Sequence, residues 1–107
     1  MTQEKIRHLN DCLRKTGLNG KVMLTQGVQA LGEEAILQIM ILMQCYDDFP
    51  EENDPYGEHD FGSIKFDEKK LFWKIDYYDH AYQMGSSNPA DPNVTRRVLT
   101  LMLASEY

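Results

Sequence analysis

The chain has 107 residues, with eleven Lys and Arg against seventeen Asp and Glu, a formal net charge of −6 and a pI near 4.9. That length suits one domain with a single core and is too short for two. The acidity argues against direct nucleic-acid binding, which needs clustered Lys and Arg to meet phosphates, and eleven aromatics argue against disorder.

Residues 3–16 place Ile6, Leu9, Cys12 and Leu13 on one stripe, the period of an amphipathic surface helix, with Thr2 as its cap and Gly17 as its stop. The Gly17-Leu-Asn-Gly20 segment then reverses the chain into a short strand over residues 21–26, with Val22 and Leu24 on one face and Met23 and Thr25 on the other. Gly32-Glu-Glu34 opens a second helix, its acids complementing the positive end of the helix dipole. Nearly every position from 35 to 43 is apolar, which predicts a central core helix, or a helix with one side in a dimer interface. Gln38 interrupts this run, which is far short of the roughly 20 residues that cross a bilayer. The first eight residues carry charges where a signal peptide needs an apolar stretch, so no membrane association and a cytoplasmic location are expected. Cys12 and Cys45, far apart and without cysteine neighbours, are expected as reduced, partly buried thiols.

Residues 63–66 and 71–77 flank Asp67-Glu-Lys-Lys70, a four-residue hairpin loop. Pairing Phe66 with Leu71 sets Ile64 opposite Trp73 and Gly62 opposite Ile75 on the core face. Phe61, Ser63, Lys65, Phe72, Lys74, Asp76 and Tyr78 then share the other face. Residues 79–93 read as a loop, and Asp91-Pro92 starts a last helix with Val94, Val98, Leu101 and Met102 as its apolar stripe. The fold class is α+β, in the order α-β-α-β-β-α, with an about three-stranded, mostly antiparallel sheet covered by helices.

Residues 46–60 hold seven of the seventeen carboxylates, one histidine, three aromatics and no lysine or arginine. The loop's charge is −7, so the rest of the chain sums to +1 and the acidity is local. Acids interleaved with Tyr and Trp suit a protein interface. The expected contact residues are Glu51, Glu52, Asp54, Tyr56, Glu58, His59 and Asp60 from the loop, with Phe72, Lys74 and Tyr78 from the hairpin. No catalytic residue and no cofactor is assigned. The competing chemistry is a metal-dependent, hydrolase- or nuclease-like enzyme. Asp54, Glu58, His59 and Asp60 would hold a divalent cation, or His59 would act as general base oriented by Asp76 or Asp60. The spacing matches no calcium loop, no His-Glu-x-x-His helix and no nucleophile elbow.

The strings Asn53-Asp-Pro-Tyr-Gly-Glu-His-Asp-Phe-Gly62, Phe72-Trp-Lys-Ile-Asp-Tyr-Tyr-Asp79, Pro89-Ala-Asp-Pro92 and Thr95-Arg-Arg-Val-Leu-Thr-Leu-Met-Leu-Ala-Ser-Glu-Tyr107 carry a resemblance across nearly the whole chain. With the Ile-x-x-Leu-Asn-Asp pattern at residues 6–11, they resemble a small bacterial family of unknown function carried mainly by proteobacterial genomes and plasmids. The resemblance implies one intact domain and supplies no activity, cofactor or site residue. Its mobile-element setting favours a regulator or inhibitor over a metabolic enzyme. The expected function is a non-enzymatic protein-binding module whose acidic surface meets a basic patch on a partner, as an inhibitor of a nucleic-acid-binding or host-defence protein would, with homodimerisation as a further expectation.

Overall fold

In the computed structural model, which describes residues 2–107, the chain runs α1 (Thr2–Thr16), β1 (Gly20–Leu24), α2 (Gln26–Gln29), α3 (Glu33–Gln44), β2 (Phe61–Phe66), β3 (Lys69–Tyr78) and β4 (Arg96–Leu103), closing on a 3-10 turn at Ala104–Glu106. The class is α+β as expected. The sheet has four strands rather than three, in the order β1-β4-β3-β2, and is mixed: β1 runs parallel to β4, while β4, β3 and β2 are antiparallel neighbours. Leu13 of α1, Val28 of α2, and Ile39 and Met43 of α3 pack with Ile64, Leu71, Trp73, Ile75, Leu99 and Leu101 of the sheet to form the core. No helix among the described residues is long and apolar enough to cross a membrane.

The largest correction is β4, where a helix was expected. Val98, Leu101 and Met102 satisfy a helical stripe, but Arg97, Leu99 and Leu101 are buried alternately with half-buried Val98 and Thr100, the period of a strand. β4 pairs on both sides, through Leu99 with Val22 and Ile75, for example, and Met102 on its other face is also buried, so its alternation is blurred. Asp91 does not cap a helix; its carboxylate accepts from the Asn93 N–H two residues on, a local turn.

The hairpin keeps the expected faces and shifts its register by two. Ile64 pairs with Leu71 and Gly62 with Trp73, because the turn is the two residues Asp67 and Glu68, both at positive φ (49° and 63°), rather than four. Thr2, expected as a cap, lies inside α1, whereas Gly17 at φ 76° ends the helix as expected and donates to the Leu13 carbonyl at 2.8 Å. α3 is not a fully buried core helix: Ile39 and Met43 are buried, whereas Leu37 and Ile41 are 63% and 58% exposed. The sheet covers only one flank of this helix, so the opposite apolar flank faces outward. Cys12 is half-buried and Cys45 exposed, both free thiols.

Candidate functional site

α1 presents more than apolar side chains to the protein interior. Ile6, Asn10, Leu13 and Arg14 occupy its buried face, and the two polar ones must find partners there because an unpaired buried polar group is costly. Asn10 donates through Nδ2 to the Glu58 carbonyl at 3.0 Å and to the Tyr77 hydroxyl at 2.8 Å, and its Oδ1 accepts from Arg97 Nε at 2.9 Å. Tyr77 donates onward to Asp60 Oδ2 at 3.3 Å. Burial pushes the Tyr77 phenol well above its ordinary range, and the Asp60 charge adds to the effect. Burial also raises Asp60 and Glu58, with like charges on neighbouring carboxylates acting in the same direction.

Arg14 and Asp11, one helical turn apart, pair at 2.8 Å, and the same Asp11 oxygen takes His59 Nδ1 at 2.8 Å. A carboxylate accepts, so the proton of that bond sits on Nδ1. The opposite nitrogen, Nε2, faces Asp54 Oδ2 at 3.7 Å, and one face of the imidazole lies flat on Phe49 with ring centroids 3.7 Å apart. Arg14 completes the stack, its guanidinium 5.2 Å from the Phe49 ring and 5.5 Å from Trp73. Burial works against the Asp11 charge, yet the bonds from Arg14 and His59 prevail and hold its carboxyl below the usual range.

Asp54 is buried at 8% exposed, and its Oδ1 accepts from the backbone N–H groups of Glu58 at 3.0 Å and His59 at 3.1 Å. This lets His59 take up φ 57°. With Arg7 donating to the Gly57 carbonyl at 3.3 Å, the C-terminal half of the acidic loop is fastened along α1. What remains outward is a crest. Asp47, Asp48, Glu51 and Glu52 are exposed, as is Tyr56 at 73%, and among the described residues none of the four acids forms an ion pair.

The expected contact residues are therefore divided. Glu51, Glu52 and Tyr56 lie on the crest, Asp54 is an internal cap, and Glu58, His59 and Asp60 are half-buried. Phe72, Lys74 and Tyr78 lie on the sheet face opposite the helices: Phe72 packs against Phe61 and Tyr107, Lys74 pairs with Asp76 at 3.0 Å, and Tyr78 is half-buried beside Tyr82. Asp76 is thus paired away from His59, whose orienting residue is Asp11. Asp11 was not foreseen. The available signal was the pair Asn10-Asp11 with Arg14 beside the apolar stripe of a helix, polar residues that mark an inward-facing network.

Among the described residues, no group of three or more His, Cys, Asp or Glu side chains is arranged to hold a metal ion. A cleft of about 230 Å³ beside His59 is lined by Asp11, Arg14, Cys45, Tyr46 and Phe49, among others. No hydrogen bond joins the Cys45 thiol to the imidazole among the described residues, and His59 is held on three sides. The arrangement makes His59 a fastener of the loop.

A family model described as protein of unknown function (DUF3768) matches residues 24–106, and the chain belongs to that family. No curated protein and no solved structure matches.

Proposed function

We propose that this member of the DUF3768 family is a protein-binding module whose acidic crest docks on a basic patch of a partner protein. The observation that carries the reading is the contrast within one loop. Four exposed, unpaired carboxylates and an exposed Tyr56 stand on a segment whose base is tied down by buried Asp54 and the His59–Phe49 stack. A fastened loop loses little conformational freedom on binding, so more of its electrostatic attraction appears as affinity. The surface is narrower than the sequence suggests, because the crest lies with α1 while Phe72, Lys74 and Tyr78 lie across the sheet. Its chemistry matches a patch that otherwise binds phosphates, so the partner we infer is a nucleic-acid-binding protein held inactive.

The test compares partner capture by the wild-type protein and by a variant carrying Asp47→Asn, Asp48→Asn, Glu51→Gln and Glu52→Gln. Each exposed change should alter stability by less than about 0.5 kcal/mol. The wild type should retain a partner that is eluted by salt, since exposed charges are screened over about 8–10 Å, and that is displaced by added DNA or RNA. The variant should lose it. A partner retained equally by both proteins, at low and high salt alike, overturns the reading.

A further inference from the structure

Although the chain is acidic overall, one end of the sheet is not. The start of β1, the start of β4 and the loop before it enclose a pocket of about 390 Å³ lined by Asn19, Lys21, Tyr82, Thr95, Arg96 and Arg97, with Gly20 and Pro92, and no carboxylate contributes to its wall. The pairing explains the concentration of charge. Parallel register sets Gly20 beside Arg97 and Lys21 beside Val98, bringing Lys21 next to the Arg96-Arg97 pair.

Among the described residues, none of these three cations forms an ion pair within 4.0 Å. Lys21 rests its ammonium over the Tyr82 ring at 4.2 Å, and Arg97, only 1% exposed, donates to two neutral oxygens, Asn10 Oδ1 and the Pro89 carbonyl. Arg97 shares the helix-covered face with its register partner Tyr77, where the Glu58 charge acts on it, so the accessible cations of the pocket are Lys21 and Arg96. Tyr82 on the pocket wall holds φ of 58°, a conformation uncommon for a bulky residue and frequent at functional sites, whereas Asn19 at φ 67° is a residue type that takes it up readily.

We propose that this pocket binds a small molecule bearing a phosphomonoester. Two accessible cations, Lys21 and Arg96, neither in an ion pair among the described residues, match the charge of a dianion, and Arg together with Lys is the pairing that recognises phosphate oxygens. The volume falls in the range of about 300–1,000 Å³ typical of small-ligand pockets. A nucleic-acid backbone would instead need basic residues spread along a surface, and these are gathered in one concavity. The site is independent of the acidic crest and of its proposed partner.

The test uses amide NMR shifts of the full chain titrated with inorganic phosphate, with glycerol phosphate, and with acetate and chloride as controls. Saturable shifts at Lys21, Tyr82 and Arg96 should appear with the two phosphates and not with the controls. Lys21→Gln and Arg96→Gln should each weaken binding about tenfold, the loss of one charge-assisted hydrogen bond worth about 1.4 kcal/mol. Lys65→Gln, on the remote edge strand, should leave it unchanged. Absence of saturation, equal response to acetate, or indifference to the Lys21 and Arg96 changes overturns the proposal. So does concentration-dependent self-association abolished by Lys21→Gln, which would assign the pocket to the acidic loop of a second copy.

Discussion

Gly62 sits directly across the strand pair from Trp73, and a Cβ at that position would lie 2.2 Å from the indole Nε1 and 2.5 Å from Cε2, against an ordinary contact of 3.4–4 Å. Gly62→Ala therefore requires the ring or the strand to move by more than about 1 Å, in an interior packed as tightly as a crystal. The indole has no room to yield. It is 0% exposed, with Tyr46 centred 5.5 Å away, Phe49 6.1 Å away and the Arg14 guanidinium 5.5 Å away. Overpacking of this kind costs about 1–3 kcal/mol, and the hemmed-in ring places the expected loss near the upper end, about 3 kcal/mol. That is a large share of the roughly 5–15 kcal/mol of a typical domain. Urea unfolding followed by circular dichroism measures it. The mechanism is checked by adding Trp73→Phe, which removes the Nε1 side of the ring together with its buried, unpartnered N–H. The double variant should be more stable than the sum of the single losses by at least about 1 kcal/mol. A Gly62→Ala loss below about 0.5 kcal/mol, or strict additivity with Trp73→Phe, would refute the packing argument.

Asn10→Ala removes the partner of the Glu58 carbonyl and of Arg97 Nε and leaves the Tyr77 hydroxyl with Asp60 alone, so calorimetry should show a loss of about 3 kcal/mol; a loss under about 1 kcal/mol counts against the network. Burial, then the Asp54 charge, raises Asp60 above its ordinary 3.8, so its ionisation lowers stability as pH rises from that value to the folded one and the loss stays constant above it; Asp60→Asn should outlast the wild type in thermal melts at neutral pH and lose that advantage below about pH 3. Asp11 has the opposite sign, since despite burial its bonds to Arg14 and His59 lower its pKa; Asp11→Asn should be less stable than wild type at neutral pH, the gap closing as acid protonates the wild-type carboxyl. Ile39→Asp buries an unpaired charge and should abolish the folded circular dichroism signal, whereas Leu37→Lys on the exposed flank of the same helix should stay within about 0.5 kcal/mol of wild type; folded Ile39→Asp protein would contradict the packing of α3.

Local periodicity was enough to establish α1, the first strand (expected at residues 21–26 and found at Gly20–Leu24, since Thr25 caps α2), the start of α3 and the two faces of the hairpin, because which side of a helix or strand is apolar depends on neighbours a few residues away. It also marked residues 46–60 as the place where charge of one sign gathers. Residues 94–102 fit a helical stripe and a strand equally well, and the choice of strand came from two ladders, to β1 over 70 residues back and to β3, that no local pattern contains. The hairpin register turned on whether Asp67 and Glu68 accept positive φ, a backbone state that non-glycine residues adopt only when strand pairing rewards it. The division of the acidic loop into fastened base and free crest was likewise tertiary. Asp54 and Glu51 are the same chemistry three residues apart; one is buried by its bonds to the Glu58 and His59 amides, the other faces water. Asp11 reaches His59 across 48 positions, a contact made by the packing of α1 against the loop. Composition located the charge in this protein, and long-range packing decided which of those charges face water.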